Sequence, residues 1–523
     1  MRNMVFAAAA ALILSSSAAQ AYLMIMPDDT DNVTCSNGIC TATARKACIS
    51  VADLQAMLAD GDVTLVPGAI GKDIQVRAGF TWSSGHRLIF DSFHSVNIKH
   101  PIVVQGGGGL TIVTDDGGHN GKFLLTGEGS VSFQNPESSL IINGQEYTMV
   151  SNIATLASGV ASDPNGHFAL AGSYDAGNDH FKTAPIPTPF SGVFEGLGNT
   201  ISHLSLHHDE KLVLGDTQFH VTGLFGFVAQ AGIVRDLIVQ KGFLASSNPK
   251  ASAGLVAGRN DGLLRYITVD GSVTGTATAM GGVVGWNNGT VYDAESAANI
   301  SAAKAKAVGG VVGLSYGIIE MSHASGSVSG SHYVGGLAGE ATLIESSYAT
   351  GEISGRTSSV LGGLAGSAGY IHESFATGAV TGSGSRETAG GLAGRVSDIR
   401  DSFATSPVTV TTDSTVGGLV GTAADGTIDR SYAAGAVSGE ARNLAGGLVG
   451  RSVHEHTRTD YWDRQTSGRR EACGNDNCRG ATGMTSQELQ TQLPPGLDPA
   501  RWAQDMAFND GYPYLLAPLK RFP

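Results

Sequence analysis

Gly335-Gly336-Leu337-Ala338-Gly339, Ile344-Glu345-Ser346-Ser347-Tyr348-Ala349-Thr350-Gly351 and Gly351-Glu352-Ile353-Ser354-Gly355 make up one unit of this sequence, and Gly362-Gly363-Leu364-Ala365-Gly366 opens the next. The Gly-Gly block also occurs at Gly281, Gly309, Gly390, Gly417 and Gly446, so the steps from Gly281 onward are 28, 26, 27, 28, 27 and 29 residues. Ala253-Gly254-Leu255-Val256-Ala257-Gly258 lies one step upstream, and Thr222-Gly223-Leu224-Phe225-Gly226 reads as a degenerate first member. The second motif keeps its phase at Ile371 to Gly378 and Ile428 to Gly435, and the third at Gly326 to Gly330, Gly378 to Gly382 and Gly435 to Gly439.

Each unit thus holds three short runs rich in Val, Ile, Thr and aromatics, bounded by Gly, Ser or Asp, which is the composition of strands and turns. Runs of four or five residues bury no face alone. Stacking each unit on the next closes parallel ladders around a continuous core. A leucine-rich or helical repeat of similar length needs a helix or an asparagine-anchored leucine pattern per unit, and neither occurs. The pattern predicts an all-β, right-handed parallel β-helix, a three-sided solenoid with an N-terminal capping helix and a C-terminal cap. The glycines fit corners that need positive φ or leave no room for a side chain between coils. A phosphate-cradling loop would need a following helix and Lys-Ser/Thr, which are missing.

These units resemble GLUG repeats, found in large bacterial surface and secreted proteins that include filamentous-haemagglutinin-like adhesins. Phe190 to Ile201 resembles the segment that leads into such arrays, and Tyr147 to Ala171 the piece before it. Tyr461-Trp462-Asp463, Gly483-Met484-Thr485 and Gly511-Tyr512-Pro513-Tyr514-Leu515 resemble the terminating segment, so the likeness spans roughly residues 53–518. It implies an exported, non-enzymatic surface protein. An Asn-Pro-Asn-Gly-Ile-type secretion motif near residue 30 and a terminal β-barrel, both features of two-partner-secreted relatives, are not seen. Some GLUG-containing proteins are metallopeptidases, but this chain has no His-Glu-x-x-His, and that activity is not carried over.

Composition agrees with an extracellular solenoid. Gly is 73 of 523 residues, about twice the usual ~7% share, and charged residues are 15% against a typical ~25%. A net charge of −14 without a basic block argues against a nucleic-acid partner and a polybasic membrane contact. Residues 1–21 read as an export signal, with Arg2, the apolar run Val5 to Leu14 and the small-residue site Ala19-Gln20-Ala21. That run is shorter than the ~20 residues of a membrane-spanning helix, and no later segment qualifies. The expected organisation is a signal over 1–21, a cysteine-containing segment over 22–52, irregular coils over 53–220, the repeat solenoid over 221–456 and a capping segment over 457–523. Ser50 is placed to cap a helix carrying Leu54, Met57 and Leu58, and a second helical run lies near Ser486 to Leu493. The C-terminal segment is expected to cover open strand edges.

The five cysteines suit an oxidising compartment. Cys35 with Cys40 and Cys473 with Cys478 share a spacing that can close local disulfide loops. Cys48 is then left over, or competes with Cys35 for Cys40. No complete zinc ligand set is present, and no cofactor is expected.

Among candidate sites, Asp115-Asp116-Gly117-Gly118-His119 has the acid-plus-histidine content of glycan-cleaving β-helices, and equally that of an ordinary turn. His454-Glu455-His456 offers two histidines on one side of an extended chain, without a third ligand at a readable spacing. Glu320, Glu345, His372 with Glu373, Arg400 with Asp401, and Asp429 with Arg430 follow successive motif isoleucines and should form a ridge of mixed charge along one corner, a candidate binding ridge. His323, Tyr348, Phe375, Phe403 and Tyr432 form an aromatic column, which would be buried by stacking or, if exposed, suit carbohydrate rings.

The functional expectation is a secreted or cell-surface adhesin, with the periplasm as an alternative location. Its partners would be host or matrix glycans or surface proteins, and an outer-membrane secretion partner fits the export route. The alternatives are a polysaccharide lyase or hydrolase, which should show carboxylates converging in a lateral groove, and a structural envelope component.

Overall fold

The computed structural model describes residues 21–208, 220–356, 358–440, 442–453, 456–475 and 478–519. The export-signal reading therefore lies outside the described residues apart from Ala21. About half of the chain is strand and 8% helix, in a β-solenoid of about 16 turns. It divides into two compact units at Glu146 and Tyr147, inside the stretch expected as irregular coils.

In the first unit three parallel ladders carry the coils. One runs Lys46–Ser50, Tyr22–Met26, Asp73–Val76, Val96–Ile98 and Phe123–Leu125. The second runs Ile39–Ala42, Val63–Val66, Leu88–Asp91, Gly109–Val113 and Ser139–Ile142, and the third Phe80–Trp82, Ile102–Val104 and Val131–Phe133. Paired residues Val63, Leu88, Leu110 and Leu140 are 25, 22 and 30 residues apart, so no constant period exists to be read. The helix Val51–Asp60 starts where Ser50 Oγ accepts from the Asp53 amide, and it buries Leu54 and Leu58 completely. Gln55 Nε2 donates to the Thr81 carbonyl at 2.7 Å, and Ser84 Oγ to the Leu58 carbonyl, so the helix lies on the edge strand Phe80–Trp82. Cys35 and Cys40 form a disulfide within the antiparallel pair Val33–Ser36 and Ile39–Ala42, and Cys48 is a free thiol.

The second unit opens with a helix that the strand-and-turn reading does not contain, Ile153–Ser162. Asn152 and Thr155 exchange side-chain and backbone hydrogen bonds as a capping box, and Ile153, Leu156 and Val160 are buried. Phe168, Phe190, Phe194 and Phe225 then pack together at the start of the core. From residue 251 onward each coil repeats one plan. A short strand such as Tyr333–Gly335 leads through the Gly-Gly corner into a long strand, Ala338–Glu345, and then to Tyr348–Ala349 and Ile353–Gly355. Each strand pairs in parallel with its counterparts one coil before and after.

The two kinds of corner use different chemistry, and this corrects the expected role of glycine. None of the repeated Gly-Gly residues has a positive φ. Space decides there: a Cβ on Gly336 would stand 2.1 Å from the Gly363 carbonyl oxygen and 2.7 Å from the Ala349 Cβ. Left-handed backbone occurs at the other corner and falls on non-glycine residues, Met321 (φ 54°), Ser346 (48°), Glu373 (46°), Asp401 (46°) and Arg430 (52°). The buried serine that follows each one stitches the coils. The Ser322 amide donates to Ser347 Oγ at 3.0 Å, the Ser347 amide to Ser374 Oγ at 3.1 Å, the Ser374 amide to Ser402 Oγ at 3.2 Å and the Ser402 amide to Ser431 Oγ at 3.1 Å. Each hydroxyl in turn donates to the carbonyl two residues back, as Ser347 does to Glu345 at 2.7 Å and Ser374 to His372 at 2.6 Å. The spine ends where the Ser431 amide reaches Asp460 Oδ1. A buried row of otherwise unmet amides is satisfied this way.

The C-terminal segment meets its expected position in part. Asp460–Asp463 and Ala481–Met484 add strands to the ladder, Cys473 and Cys478 are disulfide-bonded, and Ser486–Thr491 is a helix with a Thr485–Glu488 capping box. From this helix onward, Leu489, Leu497, Trp502, Tyr512 and Leu515 pack on the outward rings Phe403, Tyr432 and Tyr461 as a hydrophobic cluster of their own. The described residues of 457–484 thus cover the edge of the last coil as expected, with the Leu448 and Val449 amides donating to the Ala472 carbonyl, whereas residues 486–519 are a lateral strap over an outer face. The outward aromatics of the last coils are the apolar surface it buries, and burial of apolar area drives it there.

Candidate interaction face

The long strands of the second unit form one sheet whose inward row, Val234, Leu264, Val291, Ile319, Ile344, Ile371, Ile399 and Ile428, is fully buried or nearly so. Strand alternation sends the residues on either side of that row outward. One outward row is Glu195, Arg235, Arg265, Tyr292, Glu320, Glu345, His372, Arg400 and Asp429, each paired in register with the next. Five residues of the expected ridge, Glu320, Glu345, His372, Arg400 and Asp429, therefore share a row. Glu373, Asp401 and Arg430 stand beside it on the left-handed corner.

The structure divides this ridge by partner. Asp401 is fully buried: Arg430 donates to it through Nε and Nη2, both at 2.8 Å, Arg501 Nη1 at 3.1 Å and Trp502 Nε1 at 3.3 Å. Burial raises its pKa, but the hydrogen bonds from Arg430 and Trp502 and the charges of Arg430 and Arg501 outweigh it, and the net shift is downward. Arg501 also donates to Glu373 at 2.6 Å, and Arg430 to Asp429 at 2.5 Å. This end of the ridge clamps the strap and is not an open surface. Glu320, Glu345 and His372 are half-buried and Arg400 is exposed. Burial and then the Glu345 charge push the Glu320 pKa up, with Arg265 opposing.

Upstream, the sequence reading misses the continuation through Tyr292, Arg265 and Arg235, because the isoleucine that marks the row becomes Val291, Leu264 and Val234. Counting back in steps of 27 to 30 residues would have found it. The Arg265 guanidinium lies 4.5 Å from the Tyr266 ring centre and 4.9 Å from that of Tyr292, and Nη2 donates to the Tyr266 hydroxyl at 2.6 Å. Glu195, fully buried, pairs with Arg235, and burial raises its pKa against that pairing. Burial and the Glu195 charge push Asp236 well above the carboxylate range.

The second outward row, two residues earlier on each strand, is Leu263, Thr290, Ile318, Leu343, Tyr370 and Asp398. Ile318 is 38% exposed and Tyr370 47%, and Tyr316, just before Ile318, is 54% exposed and meets Trp286 edge-on. Large apolar side chains this open are few among the described residues, and here two coils carry them with the half-buried Leu343 on the coil between, a candidate interaction face. The sequence reading does not single out this row.

Around the serine corner, His323, Tyr348, Phe375, Phe403 and Tyr432 stack with ring centres 4.7, 4.8, 4.8 and 5.1 Å apart and planes within 10°. Phe403 and Tyr432 are buried under the strap, while Tyr348 and Phe375 are half-buried. His323 Nε2 lies 3.2 Å from Glu295 Oε1. Stacked this closely, the rings turn their faces to one another and their edges outward. The carbohydrate-stacking role considered for an exposed column does not fit, because a sugar packs on a ring face.

Asp115 to His119 forms a turn in the first unit, with Asp115 left-handed (φ 64°) and its carboxylate accepting from the Gly121 amide. Asp91 stands near Asp116, and burial and then the Asp116 charge raise its pKa. His454 and Glu455 lie outside the described residues, and of His456 only the backbone is described, paired with Thr427. Among the described residues no cluster of His, Cys, Asp or Glu has the arrangement of a metal site, and no helix is long and apolar enough to cross a membrane.

Comparison with known proteins adds three likenesses. The family described as "The GLUG motif" matches residues 304–329. Halomucin of Haloquadratum walsbyi (strain DSM 16790 / HBSQ001) is 34% identical over 114 residues, 21% of this chain and 1% of halomucin, so the chain spans a very small part of that relative's length. A solved structure from Bacteroides ovatus, provisionally described as an immunoglobulin A1 protease, aligns over 71% of this chain and 92% of its own at 18% identity, with a TM-score of 0.34. The chain is a β-solenoid repeat protein carrying a GLUG motif.

Proposed function

We propose that the chain is an exported surface protein of the adhesin kind, non-enzymatic, which uses the outer faces of its second unit to hold a host, matrix or surface partner. The observation that carries the reading is the outward apolar row Ile318, Leu343 and Tyr370, exposed at both ends and half-buried at Leu343, beside the charged row Glu320, Glu345 and His372 on consecutive paired strands. Two disulfides fit an oxidising location outside the cytoplasm, and the likeness to part of halomucin fits a surface repeat protein. The buried carboxylates Glu195 and Asp401 are each engaged by arginine. That is the chemistry of a clamped scaffold rather than of a free acid and base.

Cell fractionation combined with binding of the purified mature chain to glycans and host surfaces tests this. The expected outcome is an envelope or secreted location and saturable binding. Cleavage of polymeric uronates by the same preparation would replace the reading with a polysaccharide-acting enzyme.

A further inference from the structure

Among the described residues the strongest uncovered feature is the pair of outward rows over three successive coils, Ile318, Leu343 and Tyr370 beside Glu320, Glu345 and His372. The geometry points to a cationic amphipathic helix of a partner protein as the occupant of this face, lying along the stacking direction of the coils. The inference rests on the proposed binding role and names the partner's chemistry.

Spacing is the first argument. Neighbouring coils stand ~4.8 Å apart, and an α-helix advances ~5.4 Å per turn. Over three coils the mismatch is only about 1 Å, so successive turns of one helix can each meet one coil. An amphipathic helix presents an apolar stripe beside a polar one, as this face does. Charge is the second argument. Glu320 and Glu345 are adjacent in the row and half-buried, and burial and then the Glu345 charge push the Glu320 pKa up. Within the molecule the Arg265 charge is what opposes the rise at Glu320. A lysine or arginine placed between them relieves that repulsion. The third argument is chemical. Ile318 and Leu343 offer methyl groups at the centre of the face, which suit aliphatic side chains and give a sugar ring neither a flat π surface nor a hydrogen bond.

The molecule itself shows this kind of contact one corner away. There the strap lays Trp502 against Phe403 and Tyr432, with ring centres 5.9 Å apart in each case, while the adjacent Arg501 bonds the corner acids Glu373 and Asp401. A cation next to an apolar side chain is what this solenoid already accepts on an outer face.

The test uses the full mature chain and a synthetic amphipathic Leu/Lys peptide of about 18 residues, five helical turns. A Leu/Glu peptide of the same pattern and a neutral oligosaccharide serve as comparisons. Binding is read by titration, and helix formation by far-UV circular dichroism. We expect the Leu/Lys peptide alone to bind, to gain helicity on binding and to lose affinity with added salt. Glu320→Gln with Glu345→Gln, and separately Ile318→Ser with Tyr370→Ser, should each weaken it at least about tenfold, or 1.4 kcal/mol. Glu128→Gln with Glu137→Gln, an equal charge change on exposed acids of the first unit, should leave it unchanged. Unchanged melting of each variant checks that these outward substitutions spare the fold. Absence of binding, equal weakening by the control pair, or occupation of the face by the oligosaccharide would overturn the inference. Surface binding by the whole chain that survives both face variants would sink this inference and leave the adhesin reading standing. Peptide binding without any surface binding would do the reverse.

Discussion

The coils of the first unit and the regular coils of the second wrap the same kind of parallel ladder around different interiors. Val63, Leu65, Phe80, Trp82, Leu88 and Phe90 fill the first with large side chains, and its coils differ in length by up to eight residues. The regular coils put Ala338, Ala365 and Ala393 in register beside paired glycines, and their length varies by three residues at most. Large residues tolerate variable coils because loops absorb the difference and side chains repack. Small residues bring backbones so close that each coil must copy its neighbour. The first unit has equally close approaches, as where a Cβ on Gly129 would stand 1.9 Å from the Ile98 carbonyl oxygen, but on scattered glycines; in the regular coils the close approach recurs at the same place in every coil, and the sequence repeats with it.

That contrast is sharpest in a pair of glycine substitutions. Gly336→Val places its Cβ 2.1 Å from the Gly363 carbonyl oxygen, and coils on both sides hold that carbonyl in place. It should cost over ~4 kcal/mol, beyond ordinary overpacking, and appear in calorimetry as loss of the second unit's transition while the first unit still melts. The strap comes next. Trp502→Ala removes a buried indole tilted against the outer edges of Phe403 and Tyr432 and should weaken strap docking by about 3–5 kcal/mol. Limited proteolysis should then release residues 486–519 rapidly, while the coils stay resistant.

Acid should loosen the same strap. Asp401 has a folded pKa below its unfolded value of ~3.9, so the stability it adds is complete above that value and is lost as pH falls through the lower, folded one. Strap release followed by proteolysis with an acid-active protease should be flat from neutral pH down to about 4 and rise below it. Asp401→Asn should release the strap already at neutral pH and abolish the acid step. A flat profile in the parent chain would show that Arg501 and Arg430 do not hold the strap through this carboxylate.

Much of this organisation is legible in the chain, to a depth set by contact range. The Gly-Gly steps expose the stacking, because coil-to-coil contacts lie one period apart. Rows follow from it, so Glu320, Glu345, His372, Arg400 and Asp429 can be aligned by counting. The Asp401–Arg501 contact spans 100 residues and crosses from the array to a tail without the period. Nothing local marks it, and the whole tail therefore reads as an end cover. The inward or outward sense of the aromatic column was equally hidden, since the left-handed corner before each serine resets the strand alternation. The row Ile318, Leu343 and Tyr370 escapes notice for a simpler reason: those side chains look like core until alternation is counted from the fully buried Ile319, Ile344 and Ile371.

Ser374→Ala tests the stitching that only the regular coils have. It leaves the Ser347 amide without its acceptor in a fully buried corner and removes a donor to the His372 carbonyl. A cost of about 1–3 kcal/mol is expected, with faster hydrogen exchange at the Ser347 amide than at its neighbours. Exchange unchanged at Ser347 would mean that the backbone ladders alone hold the corner.

The smallest effect belongs to the irregular unit. Gly85 is exposed, lies outside the left-handed region, and has nothing within 4 Å of an added Cβ. Gly85→Ala therefore meets no neighbour, and its main consequence is a less flexible unfolded chain, worth at most about 1 kcal/mol in favour of the fold. A small rise in the first unit's melting temperature, beside collapse of the second unit in Gly336→Val, would attribute the difference between the two positions to how near the next coil lies. Destabilisation by Gly85→Ala comparable to that by Gly336→Val would instead mean that an added methyl is costly even where no neighbouring coil stands near it.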